Sequence, residues 1–376
     1  MLPLDGIKVV EIAQNLAGPY AGEILGMLGA DVLKIERPDG GDDARGWGPP
    51  FHGGLATTFH AVNRGKRSVA LDLKRAEDVA WLKARVAESD VLVQNMRPGL
   101  LEAIGLGPDV LCAANPRLVY TSLWAMGATG PMRLAPGYEP MVQAFSGMFS
   151  LNGAPEGPPS RVGMQVLDLG SGLWAALGTV AALFRRQATG KGGVVDTSLL
   201  ETALGWMAVH FAGFSATGAL PPRDRTGNPK VVVFSALATA DGELVVAAAN
   251  DRLFARLAAE LGHPEWGEDP RYATNAARVA VRDEILGLIQ EVTRTRPSAH
   301  WSARFAALGI PCAPINDMSA LLADPQVAAL GMIEAPPGTD LRLIGLPLSF
   351  DGARPRARSS APHLGERVSG GGDLRP

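Results

Sequence analysis

Residues 7 to 38 read IKVVEIAQNLAGPYAGEILGMLGADVLKIERP. Ile7–Ile12 is a short β-branched run of strand length, expected as a buried strand. Ala17-Gly18-Pro19-Tyr20 reads as a turn, Ala21 to Leu28 as a helix and Gly29-Ala30 as a second turn. Asp31–Glu36 reads as a second strand, ending at Arg37-Pro38. Strand, glycine turn, helix and strand make a βαβ unit, with parallel strands and a right-handed crossover. Its glycines do not spell G-x-G-x-x-G, so an acid at the end of the second strand is weak support for a dinucleotide site.

The rhythm continues downstream. A strand at Val69–Leu73 runs into Lys74, a helix spans Glu77 to Glu88, and strands follow at Asp90–Asn95 and Leu118–Ser122. Alternation through about residue 130 predicts an α/β protein whose large domain is a doubly wound, mostly parallel, Rossmann-like sheet. Ligands on such sheets sit at the carboxyl ends of the strands, and Arg37, Lys74 and Asn95 fall at or just after such ends. The basic turn Asn63–Ser68 could neutralise phosphates or simply be solvated. Gly40–Phe51 is a glycine- and proline-rich loop of the kind that forms either a ligand flap or a surface connection.

The stretch from Arg161 to Leu204 sets one acid against an apolar background. Asp168 follows Val166-Leu167 and precedes Leu169-Gly170-Ser171-Gly172, after which Leu173–Phe184 reads as a helix apolar nearly all round, hence buried. That helix is expected to stop at Arg185-Arg186-Gln187, with Gly190 and Gly192-Gly193 as turn residues. Two roles fit Asp168: a helix cap, or a carboxylate nucleophile with the glycines admitting a large ligand to the backbone. The local pattern leaves both open.

Beyond a helical stretch at Leu199–Phe214 and a linker containing Pro221-Pro222-Arg223-Asp224-Arg225, the texture changes. Strands at Val231–Leu237 and Glu243–Ala248 flank an Asp241-Gly242 hairpin signal, and amphipathic helices follow at 252–261, 276–292 and 298–308. The expected organisation is a large domain over 1–200, a linker over 201–225 and a small α+β domain over 226–325. Residues 330–376 are expected to pack back on the large domain, and Ser369–Gly372 to be disordered.

The 376 residues, 47% hydrophobic and 19% charged, can bury a large core. A net charge of -3 and a pI near 6.1 argue against nucleic acid or an anionic membrane as partner. Cys112 and Cys312 are paired by no motif, which fits a reducing cytosol. The N-terminus lacks the pattern of a signal peptide, and no run of about 18 uninterrupted apolar residues predicts a membrane span.

Taken together, these stretches resemble the family III CoA-transferases, the carnitine and bile-acid type group. The resemblance is carried by Leu16-Ala17-Gly18-Pro19, Leu28–Val32 through Glu36-Arg37-Pro38, Asn63-Arg64 with Lys66-Arg67-Ser68, and Asn95 with Arg97-Pro98-Gly99. It continues through Gly137-Tyr138-Glu139, Gln143-Ala144, Asp168 with Gly172 and Gly178, Thr189–Gly192 and Ala361-Pro362 with Leu364-Gly365. It implies that Asp168 is the catalytic aspartate that forms aspartyl-CoA thioesters. It places Leu16, Ala17, Arg37, Leu71, Asp72, Leu73, Lys74, Asn95, Met96, Arg97, Ala135, Pro136, Gly137 and Tyr138 on CoA-contacting positions. It also implies an interlocked homodimer, acyl-CoA and a carboxylic acid as substrates, and no metal or nucleoside triphosphate.

Two departures stand out. Ala103 occupies a position that is commonly arginine in relatives, and the small domain's substrate loop reads Arg225-Thr226-Gly227-Asn228-Pro229-Lys230, leaving Arg225, Gly227, Asn228 and Lys230 as substrate candidates. Gly40–Phe51 is similar to the branch containing succinate–hydroxymethylglutarate CoA-transferase. A dicarboxylyl-CoA donor such as succinyl-CoA is therefore expected, with Arg223, Arg225 or Lys230 on its distal carboxylate. An acyl-CoA racemase on the same fold is the alternative, but that branch typically carries His-Asp where this chain has Tyr138-Glu139. A non-catalytic CoA-binding homologue is another. The absence of G-x-S-x-G argues against a serine hydrolase.

Overall fold

The computed structural model describes residues 1–365, so the disorder expected at Ser369–Gly372 lies outside the described residues. The chain divides into two compact units. One comprises Met1–Met148, Val162–Ala212 and the described residues from Gln326 on; the other comprises Phe149–Arg161 and Gly213–Pro325. Residues 149–161, read from sequence as part of the large domain, thus group with the second unit. The stretch 201–225, read as a linker, contains the end of one helix and all of another, Ala208–Thr217.

The first unit is built on six strands: β1 (Lys8–Ile12), β2 (Asp31–Glu36), β3 (Arg67–Ala70), β4 (Val91–Gln94), β5 (Val119–Trp124) and β6 (Gly193–Ser198). They lie in the order β3-β2-β1-β4-β5-β6, and every pairing is parallel. The reversal of order falls between β1 and β4, so the crevice that such sheets use for ligands opens beyond the ends of those two strands. β6 was not expected. Gly192-Gly193 reads as a turn, and GVVDTS is half polar because it is an edge strand with alternating exposure.

Alternation along the strands loads both faces of the sheet. Val9, Val32, Val91, Val93 and Val119 pack on one side with Ala21 and Leu25 of α1 (Ala17–Met27). Val10, Leu33, Ile35, Leu92 and Tyr120 pack on the other with Leu82 of α2 (Ala76–Ala87) and Leu111 of α3 (Pro108–Ala114). The expected turn at Ala17–Tyr20 is the first turn of α1. The strand expected at Val69–Leu73 sits earlier, as Arg67–Ala70, and leaves Leu71 to Lys74 beyond the sheet edge.

Three further helices complete the framework of the site: α4 (Glu139–Phe145), α5 (Val166–Thr189) and α6 (Leu199–Trp206). The 24-residue α5 begins before Asp168 and runs through Arg185 and Arg186, both expected at its end. Arg186 is buried, donating to Arg117 O at 2.9 Å and to Asp90 Oδ1 at 2.9 Å, so its charge is paired inside the fold. Gly190, with φ 70°, caps the helix in the left-handed conformation that glycine accepts freely. By length and composition α5 could cross a membrane, but half of its most apolar 18-residue window is buried within the fold. The sequence pattern predicts a buried helix, but Leu173, Trp174, Leu177 and Phe184 are exposed along it.

The C-terminal segment meets the first unit's sheet edge. Arg45 Nη1 donates to Pro362 O at 3.0 Å and Gly365 N to Ser68 Oγ at 3.1 Å. In the second unit, β7 (Phe234–Thr239) and β8 (Gly242–Ala247) form the expected antiparallel hairpin. Cys312–Pro314 is a third strand, β9, antiparallel beside β8. Helices α7 (Asp251–Glu260), α8 (Asn275–Ala280), α9 (Arg282–Thr293) and α10 (Ser298–Ala307) cover it, the expected 276–292 helix breaking at Val281.

Candidate active site

Two clefts lie beyond the carboxyl ends of the first unit's strands. The first, about 210 Å³, is lined by Asp168 together with Ala17, Asn95, Met96, Arg97, Ala135, Pro136, Gly137 and Tyr138. The second, about 350 Å³, is lined by Arg37, Leu71, Asp72, Leu73, Lys74 and again Met96. Met96 is a shared wall. Thirteen of the fourteen positions expected to meet CoA therefore fall on two adjoining clefts. The remaining one, Leu16, is the N-cap residue of α1.

Asp168 is half-buried, the third residue of α5, and thus inside the first helical turn rather than ahead of it. There it stands at the positive end of the helix dipole. The N-cap residue, Gln165, makes no side-chain cap. A different acid serves the turn: buried Glu139 accepts from Leu167 N at 3.3 Å and from Gln143 Nε2 at 2.7 Å. Gln143 Oε1 in turn accepts from Val162 N at 3.0 Å. The Gly170-Ser171-Gly172 run is helical, not a ligand-admitting turn. A Cβ on Gly170 would lie 2.9 Å from Thr202 and Trp206 side-chain atoms, and one on Gly172 2.6 Å from Ala17 O. These glycines bring α5 against α6 and α1.

The side chains meant to neutralise phosphates differ in availability. Arg37 donates to Asp39 O at 2.8 Å and pairs with Asp43, so it is already engaged. Asn95 does not offer its amide freely: its Oδ1 accepts from Gln14 N at 2.8 Å and its Nδ2 donates to Gln14 O at 2.7 Å, clamping the β1–α1 loop. Asp72 Oδ1 accepts from Lys74 N at 3.0 Å. Arg97 has no side-chain partner among the described residues. Neither has Arg133, an exposed loop residue in the Asp168 cleft that sequence reasoning passed over. Asn15, Trp47, Trp124 and Leu199 also line this cleft without having been singled out as site residues. Trp47 alone carried a signal, as an aromatic in a glycine-rich loop.

A network of buried charges supports the loop. Lys34 Nζ lies 2.9 Å from both Glu11 Oε1 and Asp42 Oδ2, and Lys66 Nζ lies 2.7 Å from Glu11 Oε2. Glu36, the acid that ends β2, is held by Arg45 through two contacts of 2.7 Å and by Ser68 at 2.6 Å, so its task is internal. Burial opposes its ionisation, but Arg45, Lys34 and Ser68 hold its carboxyl below the usual range. Burial also opposes the charge on Lys34, which Glu11, Asp42 and Glu36 nevertheless hold above the usual lysine range. Burial pushes Lys66 down to about 8 against the pull of Glu11.

Arg225, Gly227, Asn228 and Lys230 belong to the second unit. Arg225 is paired with Glu243, whose hydrogen bonding holds the guanidinium above its usual range. Arg223 donates to Pro155 O at 2.8 Å and Gly157 O at 2.6 Å. Asn228 N donates to Phe234 O at 3.0 Å, and a Cβ on Gly227 would overlap that same oxygen at 2.2 Å. Of the three expected carboxylate-binding cations, only the Lys230 ammonium has no partner among the described residues.

Residues 4–368 match the family model described as CoA-transferase family III. The succinate–glutarate CoA-transferase of Agrobacterium fabrum is 37% identical over 373 residues, covering 97% of this chain and 93% of that protein. The acetyl-CoA:oxalate CoA-transferase of Acetobacter aceti is 36% identical over 367 residues, covering 97% and 94%. Among solved structures, a CAIB/BAIF family protein from Brucella suis superposes with a TM-score of 0.86 at 38% identity, covering 97% of each chain.

Proposed function

The chain belongs to CoA-transferase family III, and from that premise we propose that it moves CoA from a dicarboxylyl-CoA thioester such as succinyl-CoA to a carboxylic acid, with Asp168 as the nucleophile. The observation that carries this reading is that Asp168 lines one cleft with eight of the positions expected to meet CoA.

The Asp168 carboxylate oxygen attacks the acyl carbonyl, and CoA leaves as thiolate, giving a mixed anhydride. The thiolate then attacks the aspartyl carbonyl and expels the donor acid as its carboxylate, which leaves an aspartyl-CoA thioester. The acceptor carboxylate attacks that carbonyl and releases thiolate again. The thiolate takes the acceptor's acyl carbon and regenerates the Asp168 carboxylate. One thioester replaces another, so no nucleotide hydrolysis is needed. A carboxylate is a weak nucleophile, so the rate depends on positioning and on donors to the developing oxyanion, each worth about 3–4 kcal/mol when removed.

The adjoining cleft with Arg37 and Lys74 would take the nucleotide end of CoA. Arg97 and Arg133, near the shared Met96 wall, would meet the diphosphate between nucleotide and pantetheine. Lys230 is the second unit's candidate for the distal carboxylate, since Arg223 and Arg225 are already engaged. A dicarboxylate preference is supported by the Agrobacterium relative's substrates, while the Acetobacter relative shows that acids differ at similar identity. A homodimer is part of the proposal, supported by exposed Leu173, Trp174, Leu177 and Phe184 along α5. So is a cytosolic location, supported by free Cys112 and Cys312.

The test is to incubate the enzyme with succinyl-CoA and a panel of labelled acids, reading new CoA esters by mass. Transfer that depends on Asp168 and favours dicarboxylyl-CoA is expected. Equal transfer from monocarboxylyl-CoA would refute the dicarboxylyl preference. Exchange of solvent deuterium into the α-position of a 2-methylacyl-CoA would favour a racemase instead.

A further inference from the structure

Asn15 stands in the loop between β1 and α1 and lines the Asp168 cleft. Its backbone has φ 68°, a left-handed conformation uncommon for a residue with a side chain, although asparagine tolerates it better than most. That conformation is fixed from both sides. Asn15 N donates to Asp42 Oδ1 at 2.9 Å, and the same oxygen accepts from Ala44 N at 3.0 Å. Asp42 Oδ2 is pinned by fully buried Lys34 at 2.9 Å, and Lys34 also donates to Ala13 O at 2.7 Å. On the preceding residue, the Asn95 amide holds both the N–H and the C=O of Gln14. Buried ionic and amide groups thus lock a loop that presents one polar side chain to the cleft.

The Asn15 Oδ1 atom is sealed from solvent and has no hydrogen-bond partner among the described residues. Since the residue itself is half-buried and lines the cleft, the amide nitrogen is the polar end that can reach a ligand there. An unsatisfied oxygen and a left-handed backbone at one residue beside a nucleophile are local costs of the kind that accumulate where function demands them. A preorganised N–H donor is also what attack by a carboxylate on a thioester most needs, because charge grows on the acyl oxygen as the tetrahedral centre forms.

We propose that the Asn15 side-chain amide is a catalytic hydrogen-bond donor, stabilising the oxyanion that develops when the Asp168 carboxylate adds to the acyl carbonyl. The inference rests on the nucleophile reading of Asp168 and adds to it the donor that lowers the barrier. No proton is transferred; the amide N–H strengthens its hydrogen bond as negative charge moves from the Asp168 oxygen to the acyl oxygen, and relaxes when thiolate leaves.

The left-handed backbone makes a clean test available. Asn15→Gly accepts φ 68° without strain and removes the amide together with its Cβ, while Asn15→Asp keeps the shape and, when ionised, has no side-chain N–H. The full-length protein, its Gly and Asp variants and Asp168→Ala are mixed with succinyl-CoA. Succinate release, the covalent mass added to the enzyme, CoA affinity by calorimetry and melting temperature are recorded. Removing the donor should slow succinate release about 100-fold in both Asn15 variants, with the CoA dissociation constant changed less than about threefold. Unchanged release in Asn15→Gly, or a loss explained wholly by weaker CoA binding, overturns the proposal while leaving Asp168 as nucleophile. Undiminished succinate release by Asp168→Ala overturns the nucleophile reading itself. If Asn15→Gly does not fold, the comparison rests on Asn15→Asp, for which normal release is the overturning result.

Discussion

A Cβ on Gly172 would lie 2.6 Å from the carbonyl oxygen of Ala17. Through that approach, helix α5, which carries Asp168, is seated directly on the first turn of α1, which carries another wall of the cleft. The separation of nucleophile and loop is set by the absence of one methyl group.

Gly172→Ala therefore forces the two helices apart. The opposing atom is backbone and cannot swing aside, so the expected cost is about 1–3 kcal/mol of stability, typical of overpacking. Turnover should fall by more than the folded fraction does, because Asp168 moves relative to Ala17. Urea unfolding and initial rates on the same preparation separate the two effects.

Arg97→Ala and Arg133→Ala should each raise KM for acyl-CoA about tenfold with little change in kcat, the loss of one charge-assisted contact. Neither guanidinium has a partner among the described residues, so neither substitution leaves a buried ion unpaired within the described fold. Added salt should raise KM in the parent enzyme and compress the difference from the variants. Steady-state kinetics at two ionic strengths checks this.

Burial lifts the Glu23 carboxyl from 4.5 to about 7, even with Arg64 at 2.7 Å drawing it down. The folded state therefore binds a proton that the unfolded chain has released between pH 4.5 and 7. Glu23's contribution to stability is full below pH 4.5 and is lost as the pH rises through about 7. Glu23→Gln should flatten this part of the pH–stability curve, relieving up to about 3 kcal/mol of its decline. Denaturant midpoints at pH 5 and 7.5 test it; equal slopes in parent and variant contradict it.

Phe184 and Leu177 are 81% and 53% exposed along α5. If a second copy covers them, Leu177→Glu with Phe184→Glu should convert a dimer to a monomer by light scattering while the helical circular dichroism is retained. A parent that is already monomeric contradicts the assembly.

Much of the fold was legible because burial writes itself into composition. Ile7–Ile12 and Asp31–Glu36 place apolar residues on both faces, as a sheet covered on both sides requires, and the βαβ rule then leaves little choice of topology. Gly193–Ser198 escaped because an edge strand is buried on one face and half polar on the other. The Gly170–Gly172 run was misread for a related reason. A glycine that relieves a helix crossing and a glycine that makes a turn are the same letter, and the neighbouring helix that distinguishes them is distant in sequence. Asn95 likewise carried a ligand signal while its amide is spent on Gln14, a partner 81 residues away that local sequence does not reveal.

By itself the sequence determined the parallel α/β sheet and the edge at which such sheets bind ligands, since these follow from the period of apolar residues and from motifs of local order, whereas the role of Asp168 was implied by the family resemblance and left open by the local pattern. Only the tertiary structure decided that Glu139 rather than Asp168 serves Leu167, that the charges of Glu11, Lys34, Asp42 and Lys66 are spent on one another, and that Asn15 faces the cleft. The physical reason is range. Helix and strand propensities act over a few residues, whereas the pairing of a buried charge is chosen among every group the fold brings within about 4 Å, where desolvation leaves no ion without a partner.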